Sequence, residues 1–210
     1  MIIKVCGLCR PENIRQVAAL DIAWMGFIFY PPSPRFAGAL PAAALETVPA
    51  SIRKVGVFVN EKASRIRHYV QRYGLQAVQL HGDETPGFCS AVRETGVRVI
   101  KAFPVAEASD FAACACYEGH CDYFLFDTKT PLYGGSGRQF DWNTLKAYRG
   151  SRPFLLSGGI GEEDAERLAA FSHPLCAGID LNSRFETEPG RKDVAKLARF
   201  IAQFPSAHSG

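Results

Sequence analysis

The 210-residue chain has no apolar run long enough to cross a bilayer, and Lys4 interrupts its start before a secretory leader could form. A cytoplasmic protein without membrane contact is therefore expected. It also lacks a charge surplus. Its 24 Lys and Arg stand against 21 Asp and Glu, a net charge of +3, too little to grip a nucleic-acid backbone. No nucleic-acid partner is expected, whereas a small anion needs only a few well-placed donors. Cysteine is present but unpatterned. The seven are Cys6, Cys9, Cys89, Cys114, Cys116, Cys121 and Cys176, an odd number at irregular spacings, which suits free thiols in a reducing compartment.

What the chain does have is an ordinary globular balance, 47% hydrophobic and 21% charged, enough for one sizeable core. Short β-branched runs alternate with longer helical patterns throughout. Strands are predicted at 2–6, 24–29, 54–59, 77–80, 97–103, 122–126, 154–156 and 175–181. Their mostly continuous apolar character suits parallel strands buried on both faces. Helices are predicted at 11–20, 61–73, 84–95, 162–170 and 191–203, several with proline or acids in the first turn. Eight such units without a leftover segment point to an α/β protein, a single-domain (β/α)₈ TIM barrel over 1–204, with a frayed, disordered tail at 205–210. A doubly wound open sheet is the competing architecture.

In such a barrel the chemistry lies at the C-terminal ends of the strands and in the loops that follow them. Those places hold Cys6-Gly7-Leu8-Cys9, Ser33-Pro34-Arg35-Phe36, His81-Gly82-Asp83-Glu84 and Asp127-Thr128-Lys129. They also hold Gly134-Gly135-Ser136-Gly137, Ser157-Gly158-Gly159-Ile160 and Asp180-Leu181-Asn182-Ser183. Gly134, Gly135, Gly158, Gly159, Asn182 and Ser183 share one rim. Glycine backbones approach an anion closely and helix N-termini offer unpaired N–H groups, so this rim is a phosphate-binding candidate; tight turns alone would not need all three loops. Cys6 is either a small buried residue or a reactive thiol assisted by the following helix and by Lys4 or Arg10. Asp127, directly after Tyr123-Phe124-Leu125-Phe126, is a helix cap, an ion-pair partner or a catalytic carboxyl whose apolar surroundings keep a proton available. Cys6 and Cys9 also have the spacing of half a zinc site or a redox pair, but Cys114, Cys116 and Cys121 precede strand six at the opposite end of the barrel. No metal site is expected.

Taken together and in order, these stretches resemble the phosphoribosylanthranilate isomerase family. The likeness also takes in Lys4-Val5-Cys6-Gly7-Leu8, Gly26-Phe27-Ile28-Phe29, Val55-Gly56-Val57-Phe58-Val59-Asn60, Gln79-Leu80-His81 and Phe140-Asp141-Trp142. The resemblance implies a cofactor-free internal redox rearrangement in tryptophan biosynthesis, turning the aminoaldose N-(5-phosphoribosyl)anthranilate into the corresponding 1-deoxyribulose. It implies Asp127 as the general acid that protonates the ring oxygen and Cys6 as the general base that takes the C2 proton. It assigns Arg35 to the anthranilate carboxylate, the glycine pairs with Asn182 and Ser183 to phosphate, and His81 and Asp180 to supporting places on the same rim.

Two positions depart from the family pattern. Arg184 stands where glycine is usual, so its side chain must turn away from the phosphate or add a cation to it. Cys9 replaces a polar residue and could bond Cys6 on oxidation. The competing functions are a non-catalytic phosphometabolite-binding barrel and a subunit of a tryptophan-pathway complex. The related histidine-pathway isomerase resembles a duplicated half-barrel with aspartate in place of Cys6, and this chain shows neither feature. The sequence makes no choice between monomer and homodimer.

Overall fold

A computed structural model gives the structure of residues 1–129 and 139–204. Eight parallel strands close into a barrel in chain order: β1 (Ile2–Val5), β2 (Trp24–Ile28), β3 (Arg53–Phe58), β4 (Ala77–Leu80), β5 (Arg98–Val105), β6 (Tyr123–Thr128), β7 (Phe154–Leu156) and β8 (Cys176–Leu181). β8 pairs with β1, which excludes the open sheet. Each expected strand is present within a few residues of its expected bounds.

Alternation along the strands sorts the side chains into two cores. Trp24, Val55, Ala77, Ile100, Ala102, Leu125 and Leu155 point inward and plug the lower barrel. A larger core, including Phe27, Phe58, Phe124, Phe126 and Phe154, fills the space between strands and outer helices. The inner plug leaves the upper barrel open, and polar side chains collect there.

The outer layer departs from expectation more than the strands do. α1 (Pro11–Ala18), α3 (Ala63–Tyr73) and α4 (Pro86–Arg93) fall where expected, and α2 (Ala42–Glu46) is a short helix the sequence pattern did not suggest. After β5 and β6 the return segments are 3₁₀ turns at Ala108–Tyr117 and Trp142–Ala147. The expected helix at 162–170 begins as a 3₁₀ turn and becomes α5 (Ala165–Ala170). The expected last helix loses its first residues to an antiparallel hairpin, β9 (Glu186–Glu188) and β10 (Arg191–Lys192), turned at Pro189-Gly190. α6 (Val194–Ile201) starts only after Asp193, whose carboxylate caps it by accepting from the Lys196 amide at 2.9 Å. Gly134 and Gly135, and the tail expected at 205–210, lie outside the described residues. No described helix is long and apolar enough to cross a membrane.

Candidate active site

A cavity of about 280 Å³ opens at the C-terminal mouth of the barrel. Its wall follows the period of two along the strands: Gln79 and His81, Asp180 and Asn182, with Cys6, Asp127 and Ser157 at their own strand ends. Arg35, Gly158, Gly159, Ser183 and Arg184 complete the rim. Every described site residue that the sequence nominated therefore lines one cavity.

Cys6 follows β1 and is buried, its thiol packed against β2 where Gly26 makes room; a Cβ at Gly26 would lie 2.6 Å from Sγ. Lys4, two residues earlier, is fully buried on the same inward side. It pairs with Asp180, its register partner on β8, at 2.7 Å from Nζ to Oδ1. The second Asp180 oxygen accepts from Ser157 Oγ at 3.2 Å. Burial pushes the Cys6 thiol above its ordinary range; Lys4 and Lys192 work against that shift and Asp180 adds to it. Burial acts to lower Lys4, but Asp180 and Cys6 outweigh it and hold the ammonium above its usual value. Arg10, the other cation considered for the thiol, pairs with Glu188 instead.

Across the mouth, Asp127 occupies the penultimate position of β6. Its Oδ1 accepts from the Thr128 amide at 2.9 Å, and its Oδ2 lies 3.4 Å from His81 Nε2. His81 Nδ1 is 2.9 Å from Gln79 Nε2. With the amide donating, the ring proton sits on Nε2 and faces the carboxylate. Gln79 Oε1 is buried without a hydrogen-bond partner among the described residues. Gly158 explains why this corner is tight. Its φ is +91°, and a Cβ there would collide with Thr128 and stand 3.1 Å from Asp127 Oδ1. The backbone N–H groups of Gly158, Gly159 and Ser183 make no hydrogen bond among the described residues, leaving donors on the rim.

The guanidinium of Arg35 is held by a residue the sequence did not single out. Glu186 on β9 takes Nε at 2.9 Å and Nη2 at 2.7 Å, a two-pronged pairing that fixes the plane of the guanidinium at the cavity edge. Lys192 on β10, buried, bonds the same carboxylate at 2.6 Å and Asn182 Oδ1 at 2.7 Å. Burial alone would push Glu186 up, but Arg35 and Lys192 hold its carboxyl below the ordinary range; burial draws Lys192 down. The hairpin thus ties the Arg35 loop to the β8 loop. Arg184, the departure from the family pattern, turns its guanidinium to Glu163 while still bordering the cavity. The Cys9 thiol donates to the Gly190 carbonyl at 3.6 Å.

A closed (β/α)₈ barrel with a thiol, a carboxyl and a guanidinium around one cavity at its C-terminal mouth has the arrangement of a barrel enzyme. The comparisons narrow that class. Residues 3–203 match the family model described as N-(5'phosphoribosyl)anthranilate (PRA) isomerase. An N-(5'-phosphoribosyl)anthranilate isomerase of Parabacteroides distasonis is 51% identical over 214 residues, covering 100% of this chain and 97% of the relative. The crystal structure of phosphoribosyl anthranilate isomerase from Thermotoga maritima matches with a TM-score of 0.86 at 34% identity, over 97% of this chain and 98% of that one. A phosphoribosyl anthranilate isomerase in complex with reduced 1-(o-carboxyphenylamino)-1-deoxyribulose 5-phosphate matches with a TM-score of 0.81 at 30% identity, over 99% and 98% of the two chains. The chain belongs to the phosphoribosylanthranilate isomerase family.

Proposed function

We propose that the chain isomerises N-(5-phosphoribosyl)anthranilate to 1-(2-carboxyphenylamino)-1-deoxyribulose 5-phosphate in tryptophan biosynthesis, by acid–base catalysis without a cofactor, in the cytoplasm, as a monomer or homodimer. The catalytic unit is the barrel of residues 1–204. One observation carries the reading: Cys6 and Asp127 come from β1 and β6 to line a single cavity whose rim offers backbone donors and a guanidinium.

Asp127 as a carboxylic acid gives its proton to the ring oxygen while the C1–O bond breaks, and the nitrogen lone pair forms the C1=N iminium. Cys6 as a thiolate then takes the C2 proton; the C2–H electron pair becomes the C1=C2 bond and the iminium returns to a neutral amine. The enolamine tautomerises to the ketone as O2 loses a proton and C1 gains one. Phosphate lies at Gly158, Gly159, Asn182 and Ser183, the carboxylate near Arg35, and His81 and Asp180 support the reacting groups. The assignment of Gly134 and Gly135 to phosphate extends this reading beyond the described residues.

Adding the protein to phosphoribosylanthranilate should remove the substrate's fluorescence catalytically. Tight binding without turnover would favour a phosphometabolite-binding barrel instead. Arg35→Ala should act mainly on binding, raising KM by about tenfold or more with a smaller change in kcat, because a charge-assisted contact exceeds an ordinary hydrogen bond. The change also frees Glu186, so Arg35→Ala/Glu186→Gln is the informative companion. Unchanged kinetics in both would place the substrate carboxylate elsewhere.

A further inference from the structure

β1 is buried on both faces and could have been apolar throughout, yet it carries Lys4 at a position with no solvent exposure. A buried ion pair confers little net stability over a well-packed apolar pair, so stability alone does not account for this lysine. Its surroundings suggest a use. The ammonium has three donors, and Asp180 Oδ1 takes one at 2.7 Å. Asp180 is otherwise engaged by Ser157, which holds the carboxylate in place in the cavity wall. Cys6 follows two residues later, on the same inward side and one step toward the mouth, so the buried ammonium is the thiol's charged neighbour along its own strand.

Four charged groups act electrostatically on that thiol: Lys4 from its own strand, Asp180 from β8, Lys192 from β10 and Arg35 from the loop after β2. Lys192 and Arg35 are both already bound to Glu186. Among the described residues, Lys4 is bonded to Asp180 alone, which leaves two of its donors unengaged. We propose that Lys4 is a positioning residue for the reaction, its ammonium serving as the counter-charge that lets Cys6 stand as a thiolate, with Asp180 competing for the same charge. This rests on reading Cys6 as the base.

The competition predicts opposite signs for two neighbouring substitutions, which a merely structural ion pair does not. The readout is the pH dependence of Cys6 alkylation by iodoacetamide in the intact protein. The thiolate attacks the methylene carbon and iodide leaves, and peptide mass spectrometry separates Cys6 from the other cysteines. The rate follows the thiolate fraction, so each unit of midpoint shift is tenfold at neutral pH. Lys4→Gln should move the midpoint up by about one unit, slowing alkylation roughly tenfold at pH 7.5. Asp180→Asn, which keeps an acceptor for Lys4 but removes the competing charge, should move it down and speed the reaction severalfold.

If Lys4→Gln does not fold, Lys4→Gln/Asp180→Asn replaces the ion pair with a neutral amide pair. Its midpoint should still lie above that of the unaltered protein, because Lys4 acts on the thiol more strongly than Asp180 does. An unchanged midpoint in the lysine variants, or an upward shift in both single variants, overturns the proposal. Failure of the base assignment would show elsewhere, as retained turnover in Cys6→Ala, with the alkylation shifts intact.

Discussion

Asp127→Asn is expected to lower kcat by about 10²–10⁴, the usual loss on removing one positioned acid, with KM changed only a few-fold. Asparagine is nearly isosteric. Its carbonyl can keep the bond from the Thr128 amide, now 2.9 Å, so the end of β6 should hold its course. Its amide lies where Oδ2 faces His81 and can donate a hydrogen bond, but it cannot surrender the proton. Ring opening would then expel an alkoxide, and the barrier rises by what the proton transfer had saved. Because, among the described residues, the carboxyl makes no hydrogen bond to Arg35 or to the N–H groups of Gly158 and Gly159, substrate affinity should survive. Steady-state kinetics by fluorescence loss, beside thermal unfolding to confirm an intact barrel, make the check. Near-normal turnover would remove Asp127 from the acid role and leave it as a partner for His81.

The barrel was legible because eight continuous apolar runs, each followed by a return segment, account for the chain without a leftover piece. The return segments were less so. Ala108–Tyr117 carries two cysteines and four alanines without a clear period of 3.6, and it winds as 3₁₀ turns. The β9–β10 hairpin was invisible because its strands are two and three residues long and mostly charged, with no apolar alternation to mark them. That omission had a consequence at the site. Glu186 and Lys192 sit on the hairpin, and Glu186 meets Arg35 across 151 positions of sequence, a pairing no local pattern announces. The rim residues themselves were readable, since a barrel fixes which strand ends share a mouth. Lys4 left a signal too: a lone charge inside an apolar strand, two residues before the one cysteine at the mouth.

Glu186 also changes what Arg35 can do. An isolated arginine at a cavity edge would offer its whole fork to a ligand carboxylate, whereas here Nε and Nη2 are already taken. A bound carboxylate must therefore use the remaining face or displace Glu186, and Lys192 stands ready to keep that glutamate ionised in place. The cost of displacement favours the first course, in which the hairpin acts as the fixed backing of the guanidinium.

Cys6→Ala should cost about as much as the loss of the acid, again 10²–10⁴ in kcat, and the pH profile tells why the two losses differ in kind. Burial raises the Cys6 thiol above its ordinary value, and a base works only when deprotonated, so the activity of the unaltered protein should climb with pH through the neutral range into the alkaline. Removing the thiol should erase that limb along with the rate. Cys6→Ser is the stricter variant. It keeps a polar group of similar shape against Gly26, but a hydroxyl does not ionise in this range, so it should be as inactive as alanine across the whole profile. If serine instead restored much of the rate, the side chain would be acting by hydrogen bonding rather than by proton removal. If alanine remained active with the alkaline rise unchanged, the base would have to be another group in the same cavity, with His81 the first to test.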